Sequence, residues 1–294
     1  MASAALGQIV AAIRSNPYTP DKSVELLRQE TAAKAGTPPA GAQWELVDAG
    51  GVPSEWIRMP SSRSNRVFLF IHGGGYYRGS SQATRSVAAW IAGATAATVL
   101  SINYRLAPEN PFPAAIDDTC ASYRWLLSAG VAAEQIVVGG VSAGGGLTLA
   151  LLLALKEGGE PLPAGAVPMS AWTDLAQTGE SFSANAAVDP SISKEYLDRF
   201  AALYLDGADP QTPLASPVHG DLGGFPPLLM QVGTVETMFD DSRVFAAKAR
   251  AAGVDVTLEE WPEMFHGWQG SASRLPEARE AVARIGEFYR RVVD

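Results

Sequence analysis

Short apolar segments alternate with segments of helical periodicity along most of this chain, and few folds accommodate that alternation. Eight segments have strand character, and the last six follow one another through longer connections. Strands joined by helical crossovers form a parallel sheet with helices on both faces. The sequence therefore predicts an α/β fold with a mostly parallel eight-stranded sheet. Its predicted strands are Trp44–Val47, Ser54–Arg58, Arg66–Ile71, Thr98–Tyr104, Gln135–Val141, Gly165–Ser170, Leu228–Val232 and Thr257–Trp261.

Helical segments are expected before the sheet, between its strands and at the end of the chain. They are Gly7–Ile13, Ser23–Lys34, Ser81–Ala92, Pro113–Ala129, Ala143–Glu157, Lys194–Tyr204, Asp240–Ala252 and Leu275–Val293. The stretch from Trp172 to Phe225 has no convincing strand, and so long a stretch is usually a lid or an insertion. We expect residues 1–42 and 175–213 to form a helical cap over a core made of residues 43–174 and 214–294. Such a cap would cover the carboxyl edge of the sheet, where open α/β sheets bind ligands.

Composition narrows the class of protein further. Apolar residues make up 47% of the 294 residues and charged residues 18%, so the chain can bury a large core. The formal net charge of −9 argues against nucleic acid or an anionic membrane as a partner, because both are bound by clustered Lys and Arg. The single cysteine, Cys120, cannot form an internal disulfide. The N-terminal residues do not resemble a signal peptide, and the apolar run Leu147–Leu155 is too short to span a membrane, so we expect a soluble, cytoplasmic protein.

The strongest local motif is Gly140-Val141-Ser142-Ala143-Gly144, which lies between a predicted strand and a predicted helix. In this Gly-x-Ser-x-Gly pattern a serine on a sharp strand-to-helix turn is held in a strained conformation with its hydroxyl exposed. The flanking glycines are needed because backbone packs against backbone at the turn. A turn that only packs a helix on the sheet has the same pattern, so the motif by itself leaves both interpretations open.

A second glycine motif, His72-Gly73-Gly74-Gly75-Tyr76, follows directly on the predicted strand Arg66–Ile71. Consecutive glycines expose backbone N–H groups, which can stabilise a developing oxyanion. A phosphate-binding loop fits less well, because no Gly-Lys-Ser/Thr follows and the chain is acidic. The two motifs together favour a serine nucleophile over a packing turn.

Three histidines are candidates for the general base. His72 belongs to the glycine loop, and His219 lies in or beside the predicted cap. His266 follows the last predicted strand, where a loop returns to the carboxyl edge of the sheet. We therefore assign the general base to His266.

Three carboxylates compete to orient that histidine, all in the loop after Leu228–Val232. Asp240 and Asp241 stand where a helix should begin, so charges that stabilise the helix N-terminus are a sufficient role for them. Glu236 is left as the acid. The resulting order Ser142, Glu236, His266 is that of the α/β-hydrolases, and it differs from the orders of chymotrypsin and subtilisin.

Four motifs in order make the chain resemble the hormone-sensitive-lipase-like esterases, the bacterial family IV carboxylesterases of the α/β-hydrolase superfamily. They are His72–Tyr76, Tyr104–Glu109 with Pro111–Ala115, Gly140–Gly145 and His266-Gly267. The resemblance runs from about Trp44 to the C-terminus. It implies the α/β-hydrolase fold, an oxyanion hole formed by the N–H groups of Gly74, Gly75 and Ala143, and a cap that shapes the acyl and alcohol pockets. Where the family commonly has Asp-Pro-Leu, this chain has Glu236-Thr237-Met238, which leaves the identity of the acid open.

The resemblance predicts a carboxylesterase that hydrolyses small, short-chain acyl esters through an acyl-enzyme, with no metal or organic cofactor. An amidase, a carbamate hydrolase or a lipase with the same triad stays open, and so does a non-catalytic ligand-binding protein, although the presence of both Ser142 and His266 argues against the last. The family also often dimerises, which suggests a homodimer through Thr257–Trp261 and Leu275–Val293. For seven aromatic residues, substrate pocket and core packing are both open: Tyr76, Tyr77, Phe182, Tyr196, Phe200, Tyr204 and Trp268.

Overall fold

Eight strands form one sheet in the computed structural model, which describes residues 3–16, 22–33 and 35–294. The strands are β1 (Gln43–Asp48), β2 (Pro53–Arg58), β3 (Arg63–Ile71), β4 (Ala97–Ile102), β5 (Ile136–Val141), β6 (Gly165–Met169), β7 (Leu228–Gly233) and β8 (Val256–Trp261). Their order across the sheet is β1-β2-β4-β3-β5-β6-β7-β8. β2 is antiparallel to β1 and β4, and all other neighbours are parallel. The predicted α/β fold with its mostly parallel eight-stranded sheet is confirmed.

Helices cover both faces of this sheet and its carboxyl edge. They are α1 (Ala4–Arg14), α2 (Val24–Ala33), α3 (Ser81–Thr95), α4 (Ala114–Ser128), α5 (Ala143–Glu157), α6 (Ser181–Ala184), α7 (Lys194–Leu205), α8 (Phe239–Ala251) and α9 (Pro276–Val293). The sequence analysis predicted all of them except the single turn α6. Lys34, the last residue of one predicted helix, lies outside the described residues. Among the described residues, no helix combines the length and the apolar character needed to cross a membrane.

The central strands are apolar on both faces because each face packs against a helical layer. Leu69 and Ile71 of β3 belong to a core cluster with α4 and α5, whereas Phe68 and Phe70 belong to a cluster with α3 and α9. This alternation follows from the two-residue period of a strand. A shift of β3 by one residue would exchange its two faces, so this alternation fixes the register of the strand. The loop that begins at His72 follows the end of β3 and therefore lies at the carboxyl edge of the sheet.

The strand predicted over Thr98–Tyr104 extends two residues too far. β4 ends at Ile102, and the side chains of Asn103 and Tyr104 bind the chain segments that follow β3. The Asn103 side chain accepts a hydrogen bond from the Ser81 N–H (2.7 Å) at the start of α3. The Tyr104 hydroxyl donates to the His72 carbonyl oxygen at 3.1 Å. The apolar pattern continues past the strand because Tyr104 is buried beneath the glycine loop.

The helices outside the sheet layers lie against the loops at its carboxyl edge. Between β6 and β7, where the structure describes every residue, there is no strand, in agreement with the sequence. Phe200 and Tyr204 of α7 stack on Tyr77 and Tyr76, with ring centroids 3.6 and 3.7 Å apart. The division into cap and core at residues 42, 174 and 213 stays a prediction of the sequence.

Candidate active site

Ser142 occupies a strained turn between β5 and α5. Its backbone has φ 59° and ψ −122°, a conformation that L-residues rarely adopt. A Cβ at Gly140 would overlap the Gly144 carbonyl oxygen, and a Cβ at Gly144 would overlap the Ile71 carbonyl oxygen. The glycines two residues before and after Ser142 therefore allow the turn to pack backbone against backbone. This is the geometry that the Gly-x-Ser-x-Gly pattern predicts.

His266 is held by a buried carboxylate. Its Nδ1–H donates to Glu236 Oε2 at 2.8 Å, and the Glu236 side chain has no exposed surface. The other oxygen, Oε1, accepts hydrogen bonds from the Ser170 hydroxyl (2.8 Å) and the Gly233 N–H (2.6 Å). Because the carboxylate accepts a hydrogen bond from Nδ1–H, the proton of the neutral ring stays on Nδ1, and Nε2 is the basic nitrogen.

Ser170 connects this carboxylate to the loop that carries the histidine. Its hydroxyl donates to Glu236 and accepts the Gly267 N–H at 3.1 Å. Its own backbone has a φ of 45°, so it is another non-glycine residue in the left-handed region. The sequence analysis did not identify Ser170, since a serine at the end of a strand has no distinguishing pattern. Ser170 thus links the Glu236 side chain to the loop that carries His266.

The two competing carboxylates hold a different part of the chain. Asp240 Oδ2 accepts the Ser181 N–H at 2.8 Å. Asp241 Oδ2 accepts the N–H groups of Thr173 (2.7 Å) and Asp174 (3.0 Å). Burial raises the pKa of Asp241 to about 8. Among the described residues, neither of these carboxylates pairs with a histidine.

The two other histidines have surroundings that suit structural roles. His72 is buried and stacks on Tyr104 with ring centroids 4.2 Å apart, and its Nδ1–H donates to the Gly73 carbonyl oxygen at 2.9 Å. Burial lowers the pKa of His72 to about 4, so this ring is neutral near pH 7. His219 lies 3.6 Å from Asp174 and lines a different cavity from the one that Ser142 lines.

The glycine loop after β3 presents backbone donors beside Ser142. Gly74 has a φ of 123°, and a Cβ there would overlap the Arg78 carbonyl group, so the loop requires glycine at this position. In the part of the chain that the structure describes, the N–H groups of Gly74, Gly75 and Ala143 donate to no backbone or side-chain acceptor. Free N–H groups at the start of a helix and in a glycine loop are suited to bind negative charge.

Ser142 and His266 line one cavity of about 370 Å³ at the carboxyl edge of the sheet. The glycine loop forms another part of its wall, through Gly73, Gly74 and Gly75. Residues of α2 and α7 and of the chain around them close it on the other side: Glu30, Thr31, Ile192, Tyr196 and Leu197. Ser142, His266 and the glycine loop thus lie around one partly enclosed space.

The structure separates the seven aromatic residues for which pocket and core packing were both open. Of the seven, Tyr196 lines the cavity. The other six are buried and pack behind the cavity wall or elsewhere in the core: Tyr76, Tyr77, Phe182, Phe200, Tyr204 and Trp268. Tyr76 stacks on Tyr204 and Tyr77 on Phe200, and the Trp268 ring lies tilted against that of Trp261, with centroids 5.9 Å apart. Large rings bury more surface in such pairs than they would at a solvent-filled cavity, which explains why core packing prevails.

The sequence analysis missed several cavity residues. Arg78, Trp172 and Leu197 all line the cavity, and none belongs to a motif that marks a binding role. Arg78 could have been noticed as a cation three residues after the glycine loop. Within the described residues, no group of three or more His, Cys, Asp or Glu side chains is placed to hold a metal ion.

Comparison with known proteins agrees with this geometry. Residues 68–270 match a family model described as alpha/beta hydrolase fold. The chain is 43% identical to an acetyl-hydrolase of Streptomyces hygroscopicus, over 99% of this chain and 97% of that protein. A crystal structure of an esterase from the bacterial hormone-sensitive lipase family is similar with a TM-score of 0.97 and 48% identity, over 100% of both chains. A crystal structure of EstE5 soaked with p-nitrophenyl butyrate is similar with a TM-score of 0.96 and 39% identity, over 99% of both chains.

Proposed function

The chain belongs to the alpha/beta hydrolase family and is an esterase related to the bacterial hormone-sensitive lipases, and on this premise we propose that it hydrolyses small, short-chain acyl esters with Ser142, His266 and Glu236 as its triad. One observation carries the proposal. Ser142 and His266 line the same cavity, and His266 is oriented there by Glu236 at 2.8 Å.

Acylation follows from the roles that these groups can take. The Ser142 hydroxyl attacks the ester carbonyl carbon while His266 Nε2 accepts its proton. The buried Glu236 carboxylate keeps the Nδ1 tautomer and stabilises the imidazolium that forms. The carbonyl oxygen becomes an oxyanion, and the N–H groups of Gly74, Gly75 and Ala143 bind it. His266 then protonates the leaving alcohol, which departs as the carbonyl reforms.

Deacylation uses the same groups in reverse. Water attacks the acyl group on Ser142 while His266 accepts its proton, and the acid leaves as the serine is reprotonated. The N–H groups that bind the oxyanion need no reorganisation during the reaction, because the strained turn and the glycine loop already hold their backbone in place. Loss of one such donor typically lowers the rate by about 10²–10³-fold.

Two observations support small acyl groups. The cavity of about 370 Å³ lies near the lower end of the range for small-molecule sites, and it is walled by the bulky side chains of Trp172, Ile192 and Leu197. Two similar proteins also support small acyl groups. One is an acetyl-hydrolase, and the crystal structure of the other was obtained after soaking with a butyrate ester. A series of para-nitrophenyl esters tests this. We expect the highest kcat/KM at acyl chains of about two to six carbons, and an optimum at ten or more would contradict the proposal.

Covalent labelling tests the nucleophile. A serine-directed phosphonate should label the wild-type protein stoichiometrically and leave the Ser142→Ala variant unlabelled, as mass spectrometry would show. An inert, unlabelled wild type would favour a non-catalytic ligand-binding protein. Amide and carbamate analogues of the best ester distinguish an amidase or a carbamate hydrolase, which would use the same triad. The cytoplasmic location and the homodimer stay predictions from the sequence.

A further inference from the structure

Arg78 brings an unpaired positive charge to the cavity that holds Ser142 and His266. It lies three residues after Gly75, it is half-buried, and it lines the cavity together with the glycine loop. In the part of the chain that the structure describes, its guanidinium has no carboxylate within ion-pair distance. Its one side-chain hydrogen bond there is donated to the Tyr196 hydroxyl at 2.6 Å. Of its five N–H donors, most are therefore left for another partner.

Aromatic rings hold this guanidinium in place. Its central carbon lies 5.3 Å from the centre of the Tyr77 ring and 5.5 Å from that of Tyr196. The Tyr77 and Tyr196 hydroxyls lie 3.1 Å apart, and Tyr77 stacks on Phe200 of α7. A cation fixed against aromatic faces loses little further freedom when it binds a ligand. Arg78 is thus preorganised.

Among the described residues that line the cavity, no other group neutralises this charge. Glu30 also lines the cavity, but its carboxylate pairs with Lys22 at 2.7 Å. Much of the remaining wall is apolar: Val87, Val141, Trp172, Ile192 and Leu197. When an apolar ligand fills such a cavity, the unpaired cation loses water and gains no partner, which costs free energy. A ligand that supplies an anion compensates this cost. Arginine recognises a carboxylate with two parallel hydrogen bonds, which a neutral group cannot match.

We propose that Arg78 is a specificity-determining residue and that the preferred esters carry a carboxylate close to the ester that is cleaved. This inference rests on the proposed function and adds a substrate class to it, namely anionic esters. The carboxylate can belong to the acyl chain, as in a half-ester of a dicarboxylic acid, or to the alcohol. Both present the same group to Arg78, and the experiment separates them.

Two matched pairs of esters provide the test. For the acyl side, para-nitrophenyl hydrogen adipate is compared with para-nitrophenyl hexanoate, which has the same chain length and no charge. For the alcohol side, para-carboxyphenyl butyrate is compared with its neutral amide analogue, para-carbamoylphenyl butyrate. We expect the wild type to hydrolyse the anionic ester of at least one pair with a kcat/KM equal to or above that of its neutral partner. The pair that shows this identifies the side that carries the anion.

Variants assign the effect to Arg78. The Arg78→Gln variant should lower the anionic-to-neutral ratio of kcat/KM by about 10-fold or more, mainly through KM, and Arg78→Lys should retain part of it. Added salt should lower the wild-type ratio and leave that of Arg78→Gln nearly unchanged. Arg284→Gln removes the same charge from the exposed face of α9, where Arg284 pairs with Glu287, and should leave the ratio unchanged.

A purely structural role for Arg78 gives a different result. If Arg78 only braced Tyr196, then Arg78→Gln and Tyr196→Phe would lower activity on charged and neutral esters alike and would leave the ratio unchanged. That outcome, or a wild type that favours the neutral ester about 10-fold in both pairs, overturns the inference while the esterase function stands. A folded wild type that is inert toward all four esters contradicts the proposed function itself.

Discussion

Glu236 shows how one carboxylate is selected from three by its surroundings. Its two oxygens accept hydrogen bonds from His266, Ser170 and the Gly233 N–H, which leaves the carboxylate buried but fully satisfied. Glutamate is one methylene longer than the aspartate expected from the resemblance, and the Ser170 hydroxyl donates a hydrogen bond to its Oε1. The longer acid therefore reaches His266 without leaving its own hydrogen bonds unmade.

Substitution of Glu236 tests this assignment. Glu236→Gln keeps the size of the side chain but removes the charge that stabilises the imidazolium, so we expect kcat to fall by about 10³–10⁴-fold. Asp240→Asn serves as the control, and its kcat should stay within about 10-fold of the wild type, because its carboxylate contacts Ser181 instead of the histidine. Steady-state kinetics on one short-chain ester measures both. Equal losses in the two variants would remove Glu236 from the triad.

Asp241 predicts a dependence of stability on pH. Burial raises the pKa of its folded-state carboxyl from 3.8 to about 8. A raised pKa means that the protonated group stabilises the fold fully below pH about 4, and that this contribution is lost as the pH rises through about 8. Asp241→Asn keeps a neutral oxygen for the Thr173 and Asp174 N–H groups. We therefore expect the difference in Tm, variant minus wild type, to increase by about 3 °C or more as the pH rises from about 5 to about 9.

Thermal unfolding across that pH range measures the difference, with Asp240→Asn as the partly exposed control. Since both variants remove one carboxyl group from the same turn of α8, a general effect of net charge would change the Tm of both variants by the same amount. Parallel curves for the wild type and Asp241→Asn would mean that Asp241 is already ionised in the folded protein at about pH 5.

At the scale of elements, the Arg28 side chain ties α2 to the core by several hydrogen bonds. Arg28 donates to the carbonyl oxygens of Tyr77 (2.7 Å) and Ala107 (2.9 Å), and it pairs with both oxygens of Glu109 at 2.8 and 2.6 Å. The ion pair lowers the pKa of Glu109 to about 2. Because α2 also carries Glu30 and Thr31 to the cavity, Arg28 links the stability of this helix to the shape of the site.

Arg28→Ala should therefore loosen α2 and weaken substrate binding. We expect a 3- to 10-fold rise in KM with a smaller change in kcat, and a loss of about 2–4 °C in Tm. Hydrogen exchange of residues 24–33 should accelerate, which locates the effect. Glu109→Gln should be milder, since the two bonds from Arg28 to carbonyl oxygens remain. Unchanged exchange in α2 of Arg28→Ala would contradict the link.

At the scale of the whole molecule, the two edge strands of the sheet are candidate surfaces for pairing with another chain. β8 is one edge strand and β1 is the other, and β1 exposes 74% of Leu46. Edge strands carry unpaired backbone groups that can join a second sheet. The sequence analysis predicts a homodimer through β8 and α9.

Light scattering at micromolar concentration tests the dimer. We expect the mass of two chains, about twice the 30.9 kDa of one. A Leu46→Lys variant on the opposite edge should leave that mass unchanged, because a dimer through β8 does not use β1. A monomer across the concentration range would contradict the prediction, and a dimer that Leu46→Lys dissociates would move the interface to β1.

Local pattern was enough to predict the strands, the helices other than α6, the Ser142 turn and the glycine loop. Each depends on residues close together in the chain, where the strand and helix periods and the glycines act directly on the backbone. Elimination among neighbouring carboxylates predicted Glu236 over Asp240 and Asp241 as the acid. Only the fold brings Glu236 within 2.8 Å of His266, thirty positions away. Which aromatic rings are buried depended entirely on tertiary structure. So did the position of Arg78 at the cavity, where no carboxylate of the described residues lies within ion-pair distance of it. These properties arise from packing between segments far apart in sequence, and no local pattern records which surfaces meet.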